Sequence, residues 1–331
     1  MDSLKNNHTW LGLLLALLAS LLRAEPFDPL SQPTGYIGPI ALSASTPSAD
    51  GVLFQPWFDP GTWSGDLLAY ALDTSNGGAG NLHWSAASRL LARDWRERII
   101  VTRRDDTAET VTFRTFTTLS PAQQAALGDQ FRLDYLRGDP TFEGTRFRTR
   151  TFHNTSGQPV RNILGAPIHS NPVYLEQHGL ARVFIAANDG MLHCFDVASG
   201  DELFAYIPSM IYRRLATLAD PGVTAYPPYT VDGGLAVASV TFRDGSTHTL
   251  LIGALGAGGQ GLYALDVGTI ATADESTALR RVLWEFSDSS TAELGNTYGT
   301  PQLIRLADGQ WAVYFRHCCL QLLDLSTKKR C

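Results

Sequence analysis

Four segments of this chain repeat one short pattern, and that pattern restricts the fold more than any other feature. In each, a run of alternating apolar residues ends in Asp and a turn follows; in the first three an aromatic residue returns beyond it. The segments are Leu67–Asp73 with Gly80–Trp84, Met191–Asp196 with Gly200 and Phe204, Gly261–Asp266 with Val282–Trp284, and Leu320–Asp324. Alternation buries one face of a strand. The Asp carboxylate can accept hydrogen bonds from turn amides, and Gly supplies the positive φ that such turns use. An aromatic side chain on the returning strand is large enough to fill the gap between neighbouring sheets. Asp73, Asp196, Asp266 and Gly200 are therefore expected at blade turns. The strand 183–187 runs into Asn188-Asp189-Gly190, a tight turn that leads directly into the second copy. The repeated Asp residues are spaced by 123, 70 and 58 positions. A blade takes roughly 40–50 residues, so the longer intervals should hold insertions or poorly marked blades.

The rest of the chain has the same texture. Short β-branched and apolar runs separated by Gly, Pro, Asn or Asp occur at 98–102, 111–117, 172–175, 182–186, 235–242, 248–252 and 311–315. Helical signals are few. Ser120-Pro121-Ala122-Gln123 is a capping box with proline at the first helical position, and a continuation through 131–136 should stop at Gly138. Weaker stretches are 85–92 and 209–218. The fold expected is mainly all-β: a β-propeller, incomplete, with short helical insertions.

At the N-terminus, Lys5 precedes a leucine-rich run at 11–22 that ends in Arg23-Ala24, the outline of a secretory signal peptide cleaved near Ala24. The run is shorter than the ~20 apolar residues that span a bilayer. Removing 1–24 takes away Lys5, Arg23 and Asp2 and shifts the formal charge of −6 to a slightly more acidic value. That balance speaks against nucleic acid as a partner, which would call for a basic face. Cys194 stands alone and reads as a small buried hydrophobe, while Cys318, Cys319 and Cys331 crowd the end without the spacing of a zinc site.

Several motifs invite a sharper reading. Gly256-Ala-Gly258-Gly259-Gln-Gly261 fits the dinucleotide fingerprint, but Leu-Tyr-Ala-Leu-Asp follows it, a strand where the fingerprint needs a helix. Arg137-Gly138-Asp139 is a candidate adhesion tripeptide, with Gly138 equally suited to capping the helix before it. Asn154-Thr-Ser156 reads as a polar loop. No zinc-protease or nucleophile-elbow pattern occurs, so no catalytic, cofactor or metal residues are expected. Asp189 and Asp232 read as turn residues.

The ordered set 165–173, 183–209, Tyr229–Gly233, 251–267, Val282–Phe286 and Tyr298–Pro301 resembles the PilC/PilY family of type IV pilus tip-associated proteins, and upstream 63–69, 84–87 and 133–139 also look like the family. The resemblance implies a non-catalytic propeller in pilus biogenesis and adhesion, exported to the periplasm, outer membrane, pilus tip or cell surface. Minor pilins, and a host or abiotic surface, are the implied partners. It divides the chain into a signal peptide (1–24), a linker (25–50), an N-terminal propeller part with a helical insertion (51–160), family-like blades (161–315) and an aberrant tail (316–331) that suggests truncation or frameshift. The family's Asp-x-Asp-x-Asp-Gly calcium loop does not occur. Two alternatives stand beside this: a quinoprotein-type propeller oxidoreductase, suggested by Cys318-Cys319, and an inactive truncated fragment.

Overall fold

The computed structural model describes residues 36–37, 41–42, 51–73, 75, 78–153, 158–223, 228–242, 244–268, 274–287, 295–316 and 320–324. The signal-peptide segment, the Asn154 sequon and Cys318, Cys319 and Cys331 lie outside them.

The first sheet contains β1 (Tyr36–Ile37), β2 (Ala41–Leu42), β3 (Val52–Asp59), β4 (Ser64–Asp73) and β5 (Gly78–Ser85), with β1 and β2 both pairing with β3. A helical insertion follows. It begins with α1 (Ala86–Ala92), capped where Ser85 accepts a hydrogen bond from the Ser88 amide. Next come β6 (Ile100–Arg103), β7 (Thr110–Thr112), α2 (Pro121–Leu127), α3 (Gln130–Arg137) and the hairpin β8 (Thr151–His153) and β9 (Pro159–Arg161). The capping box read from the sequence is formed at α2: Ser120 and Gln123 each accept from the other's backbone amide.

The second blade is β10 (Val173–Gln177), β11 (Leu180–Ala187), β12 (Met191–Asp196) and β13 (Glu202–Ile207). After α4 (Tyr212–Ala219) comes the third: β14 (Leu235–Thr241), β15 (Thr247–Ala254), β16 (Leu262–Asp266), the short α5 (Glu275–Leu279) and β17 (Val282–Phe286). The fourth sheet holds β18 (Gln302–Arg305), β19 (Trp311–Arg316) and β20 (Leu320–Asp324). Strand β10 lies against β2 and β14, and β14 against β18, so the leading strands of successive blades line one axis. Among the described residues no sheet closes on itself.

The repeat maps onto this architecture copy by copy. Asp73, Asp196, Asp266 and Asp324 each end the third strand of a blade. Three of them accept a turn amide as expected: Ser75 N to Asp73 at 2.9 Å, Ser199 N to Asp196 at 2.8 Å and Gly268 N to Asp266 at 3.1 Å. The long first interval is the insertion. The aromatics return opposite small residues, Trp84 against Ala69, Phe204 against Cys194 and Trp284 against Ala264. Cys194 thus fills a position that elsewhere holds Ala, and burial pushes its thiol pKa up, consistent with a space-filling role.

The core is a series of slabs between neighbouring sheets. Phe54, Leu67, Trp84, Ile185 and Phe195 join the first to the second, and Val240, Ile252, Trp284, Val313 and Phe315 join the third to the fourth. Trp84 also donates its indole N–H to the Val197 carbonyl at 2.8 Å, across the blade boundary. Its ring lies over Gly200, which has φ +76°; a Cβ there would sit 2.6 Å from the ring. Gly200→Ala should therefore cost about 2–4 kcal/mol, combining left-handed strain with overpacking. Thermal unfolding followed by tryptophan fluorescence checks this, and an unchanged midpoint would contradict the packing described.

Two expected boundaries are corrected. Tyr36–Ile37 and Ala41–Leu42, read as part of a linker, pair with β3 and so belong to the first sheet. The division at 160/161 cuts through connected structure: β6 runs parallel to β13 and extends the second blade to six strands, and β9 reaches Arg161. The pairing of β6 with β13 was not legible locally, because strand periodicity says nothing about distant partners.

Candidate functional site

A single kind of contact recurs between blades. The turn joining the second and third strands of one blade, or in the first blade the start of the strand that follows it, grips the segment that leads into the next. In the first blade the Gly65 amide donates to the Leu164 carbonyl at 2.9 Å, and Asn162 Nδ2 donates to the Gly65 carbonyl at 2.8 Å. In the second, Asn188 Oδ1 accepts from the Thr230 amide at 2.9 Å and Asn188 Nδ2 donates to Asp232 at 2.8 Å. In the third, the Thr297 amide donates to the Gly259 carbonyl at 3.1 Å, and the Leu255 amide to Thr297 Oγ1 at 3.2 Å. Glycines serve a second contact, between the segment entering a blade and that blade's own turn. A Cβ at Gly165 would lie 2.1 Å from the Asp189 amide nitrogen, and one at Gly258 would lie 1.6 Å from the Thr230 carbonyl oxygen. The run 256–261, which imitates a dinucleotide fingerprint, connects β15 to β16 through a single 3₁₀ turn and packs backbone on backbone. No helix follows to hold a phosphate.

The Asn188-Asp189-Gly190 turn is the node of the most polar latch, and Gly190 adopts φ +98° there. Asp189 accepts from the Gly165 amide at 3.0 Å and from the Met191 amide at 3.1 Å, as a turn residue should. It also meets His193 Nε2 at 3.1 Å, which begins a buried chain of charges. His193 Nδ1 lies 2.8 Å from Glu202, and Glu202 takes both Arg98 Nε (2.8 Å) and Nη2 (2.9 Å). Arg98 in turn donates to the Arg137 carbonyl. The network ties the insertion to the second blade.

Electrostatics within it are strong. Burial alone would depress the His193 pKa, but Asp189 and Glu202 on either side push it up to about 9. Burial would raise Glu202; Arg98 and His193 instead hold it well below the usual carboxylate range. The sign for His193 follows from linkage. Its folded pKa lies above the unfolded value of 6.5, so its contribution is complete below pH 6.5 and is lost as pH rises toward about 9. Urea midpoints should fall between pH 6.5 and 9, by up to about 3 kcal/mol in stability, and His193→Gln should flatten that slope. Equal slopes in the two proteins would remove His193 from the account.

The same node reaches outward. Asp232, buried at 1% exposure, pairs with His169 Nδ1 at 2.6 Å, and the imidazole's side chain is 53% exposed. Desolvation raises the Asp232 pKa, partly offset by Asn188 and His169. His169 and Asp232 thus have the form of a base held by a carboxylate. Among the described residues, no hydroxyl or thiol hydrogen-bonds the imidazole's outer edge, and no group of three His, Cys, Asp or Glu side chains is placed to hold a metal ion. What the geometry offers is an oriented, half-exposed imidazole on the latch face. Asp232 was read as a turn residue; the partner His169 is 63 positions away, beyond reach of local reasoning.

The adhesion tripeptide is corrected. Arg137 is 1% exposed and donates to the carbonyls of Phe113 (2.7 Å) and Arg98 (2.8 Å), and more weakly to those of Trp95 and Arg96. Burial, with Arg98 nearby, lowers its pKa to about 10. Gly138 caps α3 with φ +126°, and Asp139 closes a turn onto Thr141. Arg137 points into the core, where it cannot offer its guanidinium to a partner.

The latched blades from the second onward coincide with a known family: the PilY1 beta-propeller domain matches residues 163–320. This stretch belongs to the PilY1 family. The chain is 32% identical over 281 residues to a type IV pilus biogenesis factor PilY1 homolog of Xylella fastidiosa, covering 79% of this chain and 22% of that protein. It is 34% identical over 283 residues to the type IV pilus biogenesis factor PilY1 of Pseudomonas aeruginosa strain PAK, covering 76% and 24%. It therefore spans less than a quarter of the length of these curated relatives. The crystal structure of the Pseudomonas aeruginosa PilY1 C-terminal domain matches at 34% identity with a TM-score of 0.34, covering 46% of this chain and 29% of that one. The PilY1 match begins at Ile163, beside the first latch, and takes in β10–β13 of the second blade and β14–β17 of the third, leaving out β6 and β7. Among the described residues no helix is long and apolar enough to cross a membrane.

Proposed function

We propose that this chain works in type IV pilus biogenesis as a non-catalytic binding propeller in the cell envelope or on the pilus. The observation that carries this reading is the PilY1 match over 163–320, joined to relatives named for pilus biogenesis at 32–34% identity. The latch face adds an exposed imidazole, His169, held by the buried Asp232 and open to a partner. Minor pilins, and surfaces the pilus touches, are the partners this reading entails. The quinoprotein alternative gains nothing here, since its motif lies outside the described residues.

The test is deletion of the gene in its own host, with pili counted by electron microscopy and surface motility scored. Loss of both, restored by a plasmid-borne copy, is the expected result. A deletion strain with unchanged pili and motility would refute the proposal.

A further inference from the structure

The glycine run 256–261 has a second consequence on the latch face. Beside it opens a cleft of about 340 Å³ lined by Met210, Arg214, Leu255, Gly258, Gly259, Gln260, Ser287 and Asn296. Each wall has a different origin. Gly259, half-buried, and Gln260, exposed, present backbone that an extended peptide can approach closely. Met210 and Leu255 give an adaptable apolar floor. Arg214, on α4, is fixed by one bond from Nη1 to the Tyr229 carbonyl at 2.9 Å, and the cation borders the cleft.

Aromatic residues are bonded to two of the lining residues, Tyr229 through its carbonyl to Arg214 and Tyr298 through its amide to Asn296. The Tyr229 ring lies 5.9 Å from that of His169. Tyr298 is 55% exposed. Met210 and Arg214 line the cleft and Tyr229 and Tyr298 are bonded to its lining residues; Tyr, Met and Arg are the types enriched in protein interfaces. In a chain of net charge −6, the charged group among the described lining residues is a cation.

We infer that this cleft binds an extended acidic segment of a partner protein, with a carboxylate on Arg214 and the peptide backbone along Gly259–Gln260. The inference rests on the binding role proposed above and names the chemistry of the partner's contact.

The test uses the purified full chain and two fluorescein-labelled peptides, one alternating Glu with Leu and the other with Gln in place of Glu. Fluorescence anisotropy should show the Glu peptide binding about tenfold tighter or more, with affinity falling as salt is added. Arg214→Gln should lose that preference. Gln260→Trp, at an exposed position that leaves the core untouched, should block both peptides. Arg280→Gln, exposed and on another surface, should change nothing. Equal binding of the two peptides, or wild-type affinity in both Arg214→Gln and Gln260→Trp, would overturn the inference. That failure is separable from failure of the pilus role, because piliation in the deletion strain is scored independently of peptide binding.

Discussion

Replacing Glu202 by Gln should lower unfolding stability by about 3–5 kcal/mol, the largest single loss expected in this protein. The substitution is nearly isosteric, so packing is not the cause. Glu202 lies between two cations that are also buried: Arg98 is 2% exposed and His193 fully enclosed. A neutral amide leaves the guanidinium without its counter-charge in a medium where an uncompensated ion is very costly. Asp189 remains to hold His193, so the loss falls mainly on Arg98 and on the junction of the insertion with the second blade. Urea denaturation measures the effect. Arg98→Met with Glu202→Leu, which removes both ions and fills their space with apolar atoms, should recover much of it. If the double variant is as unstable as the single one, the stabilisation does not come from the ion pair.

Gly258→Ala should be nearly as damaging, by an unrelated mechanism. The added methyl would be placed 1.6 Å from the Thr230 carbonyl oxygen, backbone against backbone, where no side chain can rotate away. Overpacking of this sort costs 1–3 kcal/mol where neighbours can adjust, and more where they cannot. Relief would require the segment leading into the third blade to move off the third blade's own turn, taking Asp232 with it and loosening its bond to Asn188. A loss of about 3 kcal/mol or more is expected, together with faster amide exchange at Thr230, whose N–H is held by Asn188. Gly245→Ala is the control: that glycine has φ +83° but nothing within 4 Å of the added methyl, so only the smaller conformational cost applies. Equal effects at the two positions would mean that the close contact is not what Gly258 provides.

The blades were legible because their signals are local. Alternation, a terminal Asp, a glycine turn and a returning aromatic all fall within about twenty residues of one another, and Asp73, Asp196 and Asp266 sit where that pattern placed them. The capping box at Ser120 was equally local. Other features were hidden for the same physical reason. Arg98 and Glu202 are 104 positions apart, and nothing near Arg98 in sequence announces a buried carboxylate. The Arg137 tripeptide misled because a sequence shows which residues adjoin but not which way a helix turns them. The glycines of 256–261 were rightly read as a loop, yet the reason for their number, contact with Thr230 and Gly233, appears only when the blades are assembled.

The parallel pairing of β6 with β13 imposes an order of assembly. Thr102 and Ile207, joined by a hydrogen bond, are 105 residues apart, and the strand that receives β6 is the last of the second blade. Closing so long a loop costs entropy before any contact repays it. The insertion therefore cannot settle on its sheet until the chain as far as Ile207 is available. During synthesis, residues 98–103 emerge as an unsatisfied strand bearing Arg98, and a chaperone or protease acting early meets this segment before the blade exists to receive it.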